Sequence, residues 1–166
     1  MRLAAALMVC FASILIGFSQ AARLKKRKSA LEELQRVLIE IKGLLHYENA
    51  STDVIFNRIE QLHLTHLGIF FSKWKIMSKH SDPSAALAAA ISELPEYLLK
   101  KDRELFLKLG GFLGRSDAQT QIELCEQLLE KCGVLLDEYK HDRGNLAGLY
   151  QKLGVLIGIA AAILIL

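Results

Sequence analysis

Residues Leu3–Ala22, LAAALMVCFASILIGFSQAA, run for 20 residues without a charged side chain. As a helix, at about 1.5 Å per residue, the run spans ~30 Å, the depth of a bilayer's hydrocarbon core. Lipid offers no partner to backbone N–H and C=O groups, so a helix, which pairs them internally, is the form such a run takes there. A second charge-free run, LGVLIGIAAAILIL, occupies Leu153–Leu166. Alone it reaches only ~21 Å. Drawing the span back to Leu146 lengthens it enough to cross, with Lys152 snorkelling and Tyr150 at headgroup level. The expectation is a transmembrane helix over 1–22, another over 146–166, and one domain over 23–145 between them.

Orientation follows from RLKKRK, Arg23–Lys28. A basic cluster of Arg23, Lys25, Lys26, Arg27 and Lys28 after an apolar run stays on the cytoplasmic side. The same cluster weighs against a cleaved signal peptide, although Ser19-Gln20-Ala21 passes as a small-x-small site. The reading is a two-pass protein of the cell membrane with its central domain in the cytoplasm, the cluster touching anionic lipid.

Net charge is +3, yet all 18 acidic residues lie between positions 23 and 152. Setting the cluster aside, that region is slightly acidic. This excludes nucleic acid as a partner, since a nucleic-acid binder needs a basic face. Cys125 and Cys132 stand seven residues apart on an expected helix, about 10 Å, too far to pair with each other. They are expected as reduced core thiols.

Only helical periodicity appears in the central domain. Leu31, Leu34, Leu38, Ile41 and Leu45 form one stripe, with no breaker between it and the first apolar run. A single helix is expected to near Glu48. Ser51 or Thr52 caps the next, ahead of Val54, Ile55, Ile59 and Leu62. LGIFFSKWKIM follows, then an alanine-rich helix with Asp82 or Ser81 as N-cap and Pro83 in its first turn, closed by Pro95. A fifth helix is expected over Pro95–Leu113. A sixth carries the seam Ala118, Ile122, Cys125, Leu129, Cys132, Leu136 and Tyr139. The class is all-α, an antiparallel bundle of about six helices flanked by the two membrane helices.

No catalytic, cofactor-binding or metal-binding constellation is legible. His63 and His66, read as sharing a helix face, lack companion ligands. The glycines of LGGFLG have no following Gly-Lys-Ser/Thr. The protein reads as a non-enzyme.

The most pointed stretch is LGGFLGRSDAQTQ, Leu109–Gln121. Gly114 is a ready left-handed C-cap, Ser116 with Gln119 makes a capping box, and Asp117 favours the positive helix end. Gly110 and Gly111 permit close helix approach. The corner is also a candidate docking surface.

The stretch resembles the signature of the stage III sporulation protein AB family, approximately L-G-x-x-L-G-x-S-D-x-x-x-Q. Leu109, Gly110, Leu113, Gly114, Ser116, Asp117 and Gln121 match it. LGVLIG, Leu153–Gly158, is similar to that family's membrane tail, and GF with QAARL, Gly17–Leu24, to its first span and basic exit. KGLLHYENAST departs, keeping Tyr47 but lacking the Tyr-Gly-x-Thr-Pro-Leu turn the family tends to carry. The resemblance implies a platform of the machinery joining mother cell and forespore, similar to the helical domain of type II secretion F proteins. Its implied partners are a secretion-type cytoplasmic ATPase, the stage III sporulation protein AA-like component, and other membrane proteins of the complex. On that reading Asp117 and Glu126 contribute to ATPase docking. Gly154 and Gly158, a G-x-x-x-G pair, are candidates for membrane helix packing. The other reading is a membrane-anchored regulatory or sensor subunit that binds a different cytoplasmic protein.

Overall fold

The computed structural model describes residues 2–48, 50–81, 83–114, 117–140, 152–153, 155–157, 160 and 163, with the side chains of 2–7, 9, 10, 83 and 84 outside the description. Among the described residues all regular structure is helical. The elements are α1 (Arg2–Glu48), α2 (Thr52–Gln61), α3 (Gly68–Ser78), α4 (Pro83–Ile91), α5 (Lys100–Phe112) and α6 (Ala118–Glu138). The chain divides into two compact units, Met1–Lys28 with Asp137–Leu166, and Ser29–Leu136. Among the described residues no helix is long and apolar enough to cross a membrane. The span expected over 1–22 finds no support there, and that over 146–166 lies mostly outside the described residues.

With no breaker in its sequence, α1 continues to Glu48, where the Ala50 N–H turns back to the Leu44 carbonyl. Its stripe of Leu31, Leu34, Leu38, Ile41 and Leu45 is buried in the Ser29–Leu136 unit. Ser51 stands at the N-cap of α2, but its side chain makes no capping bond. Ile55, Phe56 and Ile59 form the buried face of α2, whereas Val54 faces outward. Aromatic rings fill the centre of the unit. Phe70 of α3 meets Phe106 of α5 edge to face at 5.1 Å, and Trp74 meets Phe56 of α2 at 5.2 Å.

Three expectations change. The fifth helix starts at Lys100, not Pro95, because residues 95–98 close a turn through the Leu98 N–H and the Pro95 carbonyl. Arg103 holds that turn by donating to the carbonyls of Leu94 and Pro95. The buried Asp102 carboxylate accepts the Leu99 N–H at 2.8 Å, satisfying a donor that a helix start leaves open. His63 and His66 lie in the turn between α2 and α3, not on a helix, with His63 in left-handed backbone at φ +47°. On α6 the buried band is wider than a two-position seam: Leu128 and Leu135 join Ile122, Cys125, Cys132 and Leu136, while Leu129 is half-buried. A helix covered from more than one side needs such a broad stripe.

Two contacts fix the direction of neighbouring helices. Leu31 of α1 meets Cys132 of α6, whose Sγ donates to the Leu31 carbonyl at 3.4 Å, and Lys42 meets Glu126 at 2.6 Å. Rising number on one helix pairs with falling number on the other, so α1 and α6 are antiparallel over this stretch.

Candidate functional site

The α5–α6 corner is built by the residues of LGGFLGRSDAQTQ. Leu109 is buried in the core. Gly110 packs its backbone against α4: a Cβ placed there would lie 2.4 Å from Leu87 Cδ2. No other residue type fits that approach without moving Leu87. Gly111, by contrast, has open space over its Cα and faces solvent. Leu113 ends α5 and is buried. Gly114 then takes φ +75°, the left-handed conformation that glycine adopts without a Cβ clash. A side chain at Gly114 would also strike Thr52 Oγ1 at 2.7 Å, so the corner sits on the start of α2.

The second half of the corner starts α6. The Asp117 carbonyl accepts the Gln121 N–H at 3.0 Å, which makes Asp117 the cap residue. Its carboxylate accepts the Thr120 N–H at 3.0 Å and the Thr120 hydroxyl at 2.7 Å. The capping pair is therefore Asp117 with Thr120, one residue beyond the expected Ser116 with Gln119. Ser116 lies outside the described residues. Those Thr120 bonds, the side-chain one first, lower the Asp117 pKa. Gln121 is buried and its Oε1 accepts the Gly114 N–H at 3.2 Å, locking the corner from inside.

A cleft of about 590 Å³ opens beside this corner, where Gly110, Leu113 and Gly114 face Thr52, Trp74 and Lys79. Of the signature residues described, only Gly114 and Asp117 are exposed. Among the described residues of the corner, the exposed charge is the Asp117 carboxylate, held by Thr120.

Glu126 stands elsewhere, more than two helical turns along α6, and pairs with Lys42 of α1. In the basic cluster Arg23, Lys25 and Lys26 are exposed, Lys28 is half-buried and Arg27 is buried. Gly154 and Gly158 lie outside the described residues. Among the described residues no three His, Cys, Asp or Glu side chains group to hold a metal ion.

One functional-looking group was not singled out from sequence. Glu33 of α1 is buried, and its carboxylate accepts the N–H groups of Thr65, His66 and Leu67 at 2.9–3.0 Å. Beside it the Tyr97 hydroxyl lies 2.8 Å from His66 Nδ1. Burial, and then the Glu33 charge, raise the Tyr97 pKa. The available signal was an acid sitting between Ala30 and Val37 on the apolar side of a helix.

Neither a curated protein nor a solved structure matches the chain. The family described as stage III sporulation protein AB matches residues 2–166, almost the full length, and so takes in the corner, the basic cluster and both apolar runs. The chain therefore belongs to the stage III sporulation protein AB family.

Proposed function

We propose that the protein is a non-enzymatic platform of a secretion-like sporulation complex between mother cell and forespore, anchored twice in the membrane. Its helical domain faces the cytoplasm and couples a secretion-type ATPase, of the stage III sporulation protein AA kind, to the membrane assembly. One observation carries the anchoring. Met8, Phe11, Leu15, Ile16 and Phe18 stand exposed on α1 directly before the basic cluster. Exposed apolar side chains in such density mark a lipid or protein contact on a folded chain. Seven more residues of the charge-free run, at 3–7, 9 and 10, have side chains outside the description, and their apolar identities extend the same stretch. Leu156, Ile157 and Ile163 are likewise exposed in the second run.

The docking role rests on the corner. The Asp117 charge, fixed by Thr120 at the start of α6, gives a partner a preorganised contact. The test is co-purification of the full chain from membranes with the ATPase. Asp117→Asn keeps a capping oxygen and removes the charge, and Glu126→Lys reverses an exposed pair partner. Weaker capture with unchanged helical circular dichroism supports the reading. Unchanged capture by both variants removes the corner from it, and no capture by the parent chain removes the ATPase. A reporter fused after Lys28 that is exported would overturn the orientation.

A further inference from the structure

Two grooves of the Ser29–Leu136 unit are unused by the corner. The first, of about 580 Å³, runs between α1 and α2. Around it Ile39 is 56% exposed, Tyr47 85% and Val54 44%, an unusual gathering of large apolar side chains on one surface. Its charged members are Glu40, Glu48 and Arg58. Arg58 pairs with Glu40, so Glu48 is the surplus charge and the groove is acidic.

The second groove, of about 430 Å³, runs between α5 and α6 over an apolar floor of Leu105, Val134 and Leu135. Val134 is 55% exposed. Lys101, Lys108 and Lys131 outnumber Glu104 and Glu130 on its rim. The neighbouring Lys108 amine disfavours the charged form of Lys131, drawing the Lys131 pKa below the usual lysine value. Two adjacent ammonium groups over an apolar floor suit a carboxylate next to an apolar anchor.

The grooves lie at opposite ends of the bundle. Val134 follows Cys132, which meets α1 at Leu31. Tyr47 is 16 residues farther along α1, about 24 Å at helical rise. We propose that a second copy of this chain seats its α5–α6 groove on the α1–α2 groove of the first, Tyr47 and Ile39 against Val134, and Glu48 against Lys108 and Lys131. The two patches differ, so the contact is heterologous and leaves one groove open at each end of a pair. This goes beyond the platform reading and does not rest on it.

The test uses the full chain in membranes, with two differently tagged copies carrying Tyr47→Cys and Val134→Cys and a short bismaleimide. The parent chain, bearing only its own cysteines, is the background control. The expected adduct joins Tyr47→Cys of one copy to Val134→Cys of the other. Adducts of Tyr47→Cys with itself should be rare. Added to the cysteine copies, Glu48→Lys alone or Lys131→Glu alone should lower its yield about tenfold. Co-expression of a Glu48→Lys copy carrying Val134→Cys with a Lys131→Glu copy carrying Tyr47→Cys should restore it, since each retains the groove the other has lost. Both charged sites are exposed, and unchanged helical content shows that the variants fold. Equal Tyr47→Cys self-adducts, indifference to both reversals, failure of the restoration, or adducts only to another protein would each overturn the proposal.

Discussion

The carboxylate of Glu33 accepts the backbone N–H of Leu67 at 3.0 Å, across 34 residues of sequence. Thr65 and His66 donate to the same group, so α1 holds the turn from which α3 departs. Leu67 has no side chain that can cap a helix, and a carboxylate from another element takes that part. A buried acid stays favourable here because each oxygen meets a donor.

Replacement of Glu33 by Gln should cost about 2–4 kcal/mol, because the amide turns an N–H₂ toward groups that are themselves donors. Urea denaturation should show the earlier midpoint with an unchanged slope. An unaltered midpoint would mean that this carboxylate is not holding the turn.

Gly110→Ala should destabilise by about 1–3 kcal/mol, since the new Cβ lands on the Leu87 side chain, including its Cγ at 2.9 Å. Leu87→Ala alone leaves a cavity and costs about 2–5 kcal/mol. Together the two should cost clearly less than their sum, as the second makes room for the first. Strict additivity would show that the close contact is not the source of strain.

Asp117 should make acid stability depend on its charge. Its folded pKa is lowered by the Thr120 bonds, so its contribution is complete above the ordinary aspartate pKa and is lost as pH falls through the lower folded value. Asp117→Asn keeps a capping oxygen and should flatten that part of the melting-temperature profile below about pH 4. Asp117→Ala should lower melting at neutral pH as well, and equal behaviour of the two variants would discount the cap.

Cys125 and Cys132 should resist alkylation. Burial pushes both thiols up to about 12. At pH 8 that leaves roughly one thiolate in ten thousand. Iodoacetamide should label them only after denaturation, as peptide masses would show. Because folding raises these pKa values, their stabilising contribution is whole below about pH 9 and disappears as pH climbs toward 12. The denaturation midpoint should fall over that alkaline range, and less steeply in Cys132→Ala.

Local physics made much of this chain legible in sequence. The α1 stripe, the Gly114 turn and the start of α4 at Pro83 all depend on residues within a few positions of one another. What escaped depends on distant partners. Gly110 is read from sequence as permitting a close helix approach, but that the neighbour is Leu87 of α4, and that Gly111 has none, only the fold shows. Asp102 looks like a surface acid, and Glu33 an acid without a visible partner on an apolar helix side, until the turn at 95–99 and the turn at 65–67 arrive to donate to them. Ser116 and Asp117 both suit a cap, and one residue of register, which the sequence does not fix, decides between them. Periodicity likewise gave α6 a narrow seam, since it could not foresee a second packed neighbour bringing in Leu128 and Leu135.

The antiparallel pairing of Leu31 with Cys132 has a mechanical consequence. The Ser29–Leu136 unit is entered and left at the same end, so opposed forces on those two points pull α1 and α6 apart from their ends. Contacts loaded that way give way one after another, as in a zipper, whereas contacts loaded in shear must fail together. A tug between the two flanking stretches would therefore be felt first at Leu31 and Cys132, and handles placed at Ser29 and Leu136 should open this unit at low force.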